Sequence, residues 1–349
     1  MSAEAFATVI RASARDRLDL FLATANRLGT PVGNVEKDFW VCWTLDALYH
    51  RLPADRPRLL FKGGTSLSKA YGLIQRFSED IDVTVFRDDL DQAATIEELE
   101  ALSRTKRRAK LDAIRDACRD YVTGPLRASL SEMMADVTDG AARVEVDAAD
   151  PDGQTLLVWY PEVEPRDDAY VRPAVRIESG AKSALDPHGA VTIKPYVADE
   201  AADLDLAVPD VTTIEPGRTF WDKVVIAHGL RRWYERRGVL RQEGQRVSRH
   251  YYDLHRLVGS EAGRSALGDE SLGRDCVRHA RMFFDRPDYD LASAEPGTFT
   301  VMPSEGMIDA LRRDYASMIA MIFGEPPLFE AILASARAIE AIANKAPLQ

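Results

Sequence analysis

The chain has 349 residues, of which 46% are hydrophobic, and a formal net charge of −11. This length allows about two domains, and the apolar fraction is enough for a buried core, which excludes a disordered protein. The negative charge argues against a protein that coats nucleic acid non-specifically, because lysine and arginine make most phosphate contacts. The three cysteines are far apart and provide neither a disulfide framework nor a CxxC zinc site.

The sequence contains no run of about 18 uncharged apolar residues that could span a bilayer. Charged residues are spread through the N-terminal segment, from Glu4 to Asp16, which does not have the layout of a signal peptide. We therefore expect a cytoplasmic protein without a membrane partner.

The first half of the sequence predicts a mixed sheet with flanking helices. Apolar residues at helical spacing predict one helix over residues 3–28 and another over 34–52, with Asn34 as its N-cap. Alternating apolar residues predict strands over residues 58–62, 81–86, 142–146, 155–160, 171–179 and 191–197. A short helix is expected over residues 66–74, and a helical insertion over about 95–135.

The second half is predicted to be helical. After the breakers Val208-Pro209-Asp210 and Glu215-Pro216-Gly217, helical patterns follow over residues 218–236, 248–258, 272–284, 307–323 and 327–343. We therefore predict an α+β fold. A mixed sheet flanked by helices occupies residues 1–205, and a helical C-terminal domain occupies residues 206–349.

A glycine turn begins the stretch with the strongest chemical signal. Gly63 and Gly64 follow a predicted strand, where they let the backbone approach an anion closely. Thr65 and Ser66 add hydroxyl donors at the start of the next helix. The turn therefore predicts a seat for a phosphate group.

Two aspartates follow within the same stretch. Asp80 and Asp82 are two residues apart on a predicted strand, so their carboxylates point to the same side while Ile81 is buried. Magnesium favours a few carboxylates together with substrate phosphates. A lone Gly-Gly is usually a turn, and a lone Asp-x-Asp is usually a solvated strand edge. Because packing does not easily explain both in succession, we favour a Mg²⁺ site beside a nucleoside triphosphate.

The stretch over residues 63–83 resembles the first motif of the AbiEii-type toxins (AbiEii/AbiGii, MenT-like). These are nucleotidyltransferase-like proteins of the polymerase-beta-type superfamily in bacterial abortive-infection and toxin–antitoxin systems. Three further stretches are similar to the family's motifs in the same order: residues 35–40 (VEKDFW), 218–223 (RTFWDK) and 249–254 (RHYYDL). The similarity covers about residues 30–260.

The resemblance implies transfer of a nucleoside monophosphate from an NTP, with Mg²⁺ or Mn²⁺ as cofactor. Asp80 and Asp82 would bind the metal, and Lys223 and Asp253 would complete the catalytic site. The expected nucleotide-binding residues are Gly63, Gly64, Thr65, Ser66, Ser78 and Lys223. The implied acceptor is RNA, namely the tRNA 3′ end, with blocked translation as the consequence and a cognate antitoxin as a candidate partner. A buried structural ion pair between Lys223 and Asp253 is the alternative for those two residues.

Two further assignments are weighed against ordinary structural roles. Glu178, near the end of a predicted strand, is a candidate third metal ligand, and a solvated strand end is the equal alternative. A local run of arginines predicts RNA contact, because arginine binds phosphates and stacks on bases, but such a run is often a solvated helix face. The run includes Arg231, Arg232, Arg236 and Arg237.

Two rival functions stay open. One is an NTP-binding toxin or regulatory module that transfers nothing, and the other is transfer to a protein hydroxyl or a kinase-like use of the same pocket. The presence of Asp80, Asp82 and Lys223 favours an enzyme.

Overall fold

The computed structural model of the chain describes residues 2–164, 172–241 and 246–345. The chain divides into two compact units. The first comprises Met1–Ala70, Phe77–Thr95 and Leu102–Thr213, and the second comprises Tyr71–Arg76, Ile96–Ala101 and Ile214–Gln349. Two short segments from the first half of the sequence therefore belong to the second unit.

A seven-stranded mixed sheet has the strand order β3-β4-β5-β2-β1-β7-β6. The strands are β1 (Leu59–Lys62), β2 (Asp80–Val85), β3 (Arg143–Val146), β4 (Thr155–Trp159), β5 (Ala174–Gly180), β6 (His188–Ile193) and β7 (Val208–Ile214). Strand β2 lies in the middle, antiparallel to β1 and parallel to β5. Hydrogen bonds on both sides fix its position.

Thirteen α-helices occur in the described residues. They are α1 (Ser2–Arg11), α2 (Ala14–Leu28), α3 (Val32–Asp46), α4 (Gly63–Lys69), α5 (Ile96–Ala101), α6 (Arg104–Tyr121), α7 (Arg127–Val137), α8 (Pro216–Arg237), α9 (Ser248–Val258), α10 (Glu261–Gly268), α11 (Glu270–Phe283), α12 (Glu305–Met318) and α13 (Phe329–Ala343). Helix α5 and helices α8–α13 belong to the second unit. None of the helices in these ranges is long and apolar enough to cross a membrane.

Helix α3 forms the centre of the first unit's core. Its residues from Gly33 to Asp46 are all buried, because the helix is apolar on most sides. The Trp40 ring stacks on Tyr160 with centroids 5.3 Å apart, and Phe39 packs edge-on against it. Three consecutive charged residues, 36–38, are buried in the same helix, so each needs a partner inside the protein.

The predicted α+β class is confirmed, with a mixed sheet, flanking helices and a helical C-terminal region. The single helix predicted over residues 3–28 is wrong. The chain forms α1 and α2 instead, because the Ser13 side chain accepts a hydrogen bond from Asp16 N and caps a new helix. Helix α3 begins before Asn34, directly after Pro31, whose fixed φ suits a helix start.

Strand β7 and helix α10 are absent from the sequence-based prediction. The segment Val208-Pro209-Asp210 was predicted to interrupt regular secondary structure. It begins β7 instead, which pairs with β1 at Thr213 opposite Phe61. Pro209 lies four residues before that pairing point and, in this parallel register, before β1 begins at Leu59, so its missing N–H leaves no β1 hydrogen bond unmade. Residue 171, the predicted start of β5, lies outside the described residues.

We expect Trp40→Ala to lower the free energy of unfolding by about 3–5 kcal/mol, because it removes a buried indole and leaves a cavity. Leu22→Ala, at an exposed apolar position of the same unit, serves as the control and should stay within about 0.5 kcal/mol. Urea unfolding followed by circular dichroism measures both. Equal shifts of the two midpoints would contradict the central role of α3.

Candidate active site

Three carboxylates share one face of the sheet. Asp80 and Asp82 lie on alternate positions of β2, and Glu178 on β5 is paired in register with Asp82. Residues in register on neighbouring strands project to the same face, so Glu178 joins the two aspartates. Ile81, between the aspartates, is fully buried on the opposite face.

The charges on this face interact strongly. Burial and the negative charges of Glu79, Glu178 and Asp82 raise the pKa of Asp80 to about 7, and Lys37 opposes the shift. Like charges this close disfavour the ionised form. A hard divalent cation would relieve the repulsion, so the donor set fits Mg²⁺ or Mn²⁺.

Glu178 also forms an ion pair within the protein. Its carboxylate accepts a hydrogen bond from the Arg176 guanidinium, and Arg176 reaches Asp147 at 3.2 Å. In residues 2–164, 172–241 and 246–345, no three Asp, Glu, His or Cys side chains converge closely enough to hold a metal ion. Magnesium needs only one or two carboxylates when water and phosphate complete its shell. A role of Glu178 as a third ligand stays a prediction.

The glycine turn lies against Asp82. Gly63 begins α4 with a φ of +82°, in the left-handed region that side chains disfavour. A Cβ at this position would lie 2.0 Å from Asp82 Oδ2. The turn and the carboxylate therefore approach as closely as they do only because residue 63 has no side chain.

The hydroxyls after the turn bond inside the protein. Thr65 Oγ1 donates to the Asp80 carbonyl and lies 2.8 Å from Ser78 Oγ, while Ser66 Oγ donates to Gly63 O at 2.9 Å. Thr65 and Ser66 are buried. These bonds tie the turn to the start of β2, and direct phosphate contact by Gly64, Thr65, Ser66 or Ser78 stays a prediction.

Helix α3 contributes two further ion pairs that the sequence analysis did not assign. Lys37 Nζ lies 2.6 Å from Glu79 Oε2, directly before Asp80. The next residue, Asp38, lies 2.7 Å from Lys69 Nζ at the end of α4. The signal was present as charged residues in an otherwise apolar helix, but their partners are distant in sequence.

The second unit contains a buried cluster of Arg76, Lys223 and Asp253. The Asp253 carboxylate accepts hydrogen bonds of 2.8 and 3.0 Å from Arg76, and Lys223 Nζ lies 2.8 Å from Asp253 Oδ2. Burial lowers the pKa of Lys223, and the nearby Arg76 lowers it further while Asp253 opposes. Burial raises the pKa of Asp253, but the two cations outweigh this and hold it below its usual range.

Two basic side chains share one carboxylate in this cluster. The predicted pair of Lys223 and Asp253 is formed, and Arg76 is a partner that sequence reasoning missed. Two basic groups close together suit an anionic ligand, although a buried ion pair can also be purely structural. The catalytic roles of Lys223 and Asp253 stay predictions.

The four arginines proposed for RNA contact are engaged within the second unit. Arg231 and Arg232 pair with Glu235 at 2.9 and 3.0 Å, and Arg237 pairs with Asp288 at 2.6 Å. Arg236 donates to the carbonyl of Pro287. An RNA phosphate would have to replace these bonds, and contact at this surface stays a prediction.

Most of the chain matches the model of one known protein family. The model of the family described as "Nucleotidyl transferase AbiEii toxin, Type IV TA system" matches residues 46–335. The chain belongs to the AbiEii toxin family. Its members are nucleotidyltransferases of type IV toxin–antitoxin systems, which confirms the resemblance and implies an NTP substrate for this AbiEii toxin.

The fold of this chain is similar to that of MenT4, a nucleotidyltransferase toxin from Mycobacterium tuberculosis H37Rv. The TM-score is 0.52 at 17% sequence identity, over 94% of this chain and 90% of MenT4. At this identity the similarity shows the fold alone. A search of curated protein sequences finds no match.

We expect Gly63→Ala to abolish nucleotide transfer by this protein, because the new methyl group would displace the Asp82 carboxylate. Gly140→Ala is a matched control, since Gly140 has a φ of +79° but nothing within 4 Å of an added Cβ. Both variants carry similar backbone strain of about 1 kcal/mol. Equal transfer rates in the two variants, with equal unfolding midpoints, would show that the close approach to Asp82 is unimportant.

Substitutions of Asp253 and Lys223 in the buried cluster should change the free energy of unfolding by different amounts. Asp253→Ala removes the carboxylate that two buried basic side chains share and should cost about 3–5 kcal/mol of unfolding free energy. Lys223→Met leaves a neutral Arg76–Asp253 pair, so its stability should change by less than about 1 kcal/mol. Chemical unfolding measures both. A large loss in Lys223→Met would mean that the lysine is needed for folding.

Proposed function

We propose that this AbiEii toxin transfers a nucleoside monophosphate from an NTP to RNA, at the 3′ end of tRNA, and so blocks translation. The observation that carries the proposal is the placement of Asp80 and Asp82 on one face of β2 with Gly63 against Asp82. Carboxylates beside a glycine turn are suited to a metal-bound phosphate.

Asp80 and Asp82 would hold Mg²⁺ or Mn²⁺, with Glu178 as a candidate third ligand. The bound ion would supply positive charge to the triphosphate and orient it for in-line displacement. The raised pKa of Asp80 supports this assignment, because a bound cation would offset both the burial of this carboxylate, which is the larger cause of the shift, and the nearby negative charges of Glu79, Glu178 and Asp82.

The reaction exchanges a phosphoanhydride bond of the NTP for a phosphodiester bond to the acceptor. The acceptor hydroxyl oxygen attacks the α-phosphorus, the bond from that phosphorus to the β-bridging oxygen breaks, and pyrophosphate leaves with the electron pair. The hydroxyl proton passes to water. The protein's contribution is to position and to stabilise charge, because phosphoryl transfer requires little covalent chemistry from side chains.

Nucleotide binding is assigned to the turn from Gly63 to Ser66, to Ser78 and to Lys223. The support for Lys223 is its place in a buried cluster with a second basic residue, Arg76, where Asp253 binds both and holds the lysine in place. Asp253 would therefore act as a positioning residue for Lys223.

The RNA acceptor rests on the resemblance to the toxin family, because the arginines of α8 are engaged within their own unit. Nucleotides added at the tRNA 3′ end would remove the hydroxyl that accepts an amino acid, which would stop growth. A cognate antitoxin is the proposed protein partner, because the family belongs to type IV toxin–antitoxin systems. Transfer to a protein hydroxyl, a kinase-like use of the pocket, and NTP binding without transfer are the rival functions.

Incubation of the protein with total tRNA, Mg²⁺ and each α-³²P-labelled NTP in turn should label RNA with at least one nucleotide. Asp80→Asn and Asp82→Asn should each lower the rate by at least about a hundredfold, since such electrostatic stabilisation is worth about 3 kcal/mol. Asp139→Asn is the control, because Asp139 is exposed and its φ of 51° suits asparagine as well.

A second acceptor separates the rival functions. Periodate-oxidised tRNA lacks the terminal hydroxyls and should take up no label. Label on oxidised tRNA would disprove the 3′ end as acceptor, label in protein would favour the protein-hydroxyl rival, and NTP binding without any label would favour the binding module.

A further inference from the structure

Lys62 is the last residue of β1 and directly precedes the glycine turn. It is paired in register with Asp82 across the antiparallel β1–β2 ladder. Directly opposite residues of an antiparallel pair project to the same face. The Lys62 side chain therefore lies on the face that carries Asp80 and Asp82, while Phe61 is buried on the other.

The other lysines near the turn have partners, whereas Lys62 does not. Lys37 is bound by Glu79 at 2.6 Å, and Lys69 by Asp38 at 2.7 Å. Lys62 is half-buried, and within the described part of the chain no hydrogen bond or ion pair reaches its ammonium group. This cation is thus available for a ligand.

We propose that Lys62 is a substrate-binding residue whose ammonium group contacts the phosphates of the nucleoside triphosphate. This inference rests on the proposed function and adds a residue that neither the motifs nor the buried cluster supplied. Lysine binds phosphate as a compact point charge with three donors. A metal ion held by Asp80 and Asp82 would neutralise the carboxylates, and a triphosphate would still bring negative charge to the end of β1.

The geometry favours phosphate over the acceptor as the partner of Lys62. The residue precedes Gly63, which lies against Asp82, and is paired in register with Asp82, so lysine, turn and carboxylate converge on one small region. A phosphate that binds a metal ion held by these carboxylates would bring negative charge to this region. An ordinary solvated lysine at a strand end is the alternative that an experiment has to exclude.

The test compares Lys62→Met, Lys62→Arg and the control Lys194→Met, which removes an exposed lysine just after β6. Isothermal calorimetry with Mg²⁺ measures the Kd of an NTP and of inorganic tripolyphosphate, which has phosphates but neither base nor sugar. Lys62→Met should raise both Kd values by about tenfold to a hundredfold, the effect of losing a charge-assisted hydrogen bond. Lys62→Arg should retain most of the affinity, and the urea midpoint of Lys62→Met should not change.

Unchanged Kd values in Lys62→Met, or equal losses in Lys194→Met, would overturn the role of Lys62 while leaving the proposed function intact. A rise for the NTP but not for tripolyphosphate would overturn the phosphate contact. Absence of NTP binding by the unaltered protein would overturn the proposed function as well, so the two failures are distinguishable.

Discussion

The close approach of the Gly63 backbone to the Asp82 carboxylate is the constraint on which the rest of the candidate site depends. A side chain at residue 63 would occupy the position of Asp82 Oδ2, and the backbone there has a φ that favours glycine. The same contact places the glycine turn next to the two carboxylates proposed to bind the metal ion. Strand β2 holds those carboxylates rigidly, because it is hydrogen-bonded to β1 and β5 on its two sides.

Buried charges of α3 hold the elements around this contact. Lys37 fixes Glu79 at the start of β2, and Asp38 fixes Lys69 at the end of the helix that begins with the glycine turn. Buried ion pairs contribute little net stability, because desolvation offsets much of their attraction. Their value here is geometric: adjacent residues of one rigid helix define where two separate elements lie. The Thr65 hydroxyl adds a third link, from α4 to the backbone of β2.

The second unit contains a buried cluster in which one carboxylate binds two basic side chains. Asp253 is shared by Arg76 and Lys223, so one buried carboxylate fixes two basic side chains. Burial of these charges is costly unless each is paired and hydrogen-bonded, which the hydrogen bonds to Asp253 help to achieve. In contrast, the arginines of α8 are matched by Glu235, Asp288 and Asp290, as expected for a helix face that packs within its own unit.

The sequence by itself determined the fold class, most strands and the order of the motifs, because these depend on local periodicity and on contiguous residues. It also placed Asp80 and Asp82 on one face, since alternation along a strand is fixed by backbone geometry. Only the tertiary structure decided which distant residues meet. The pairing of Lys62 and Glu178 with Asp82 follows from strand register, and Arg76 joins Asp253 across 177 positions of sequence. Strand β7 was not predicted for the same reason, because whether Pro209 interrupts the pairing depends on where the neighbouring strand β1 begins, and not on the residues beside Pro209.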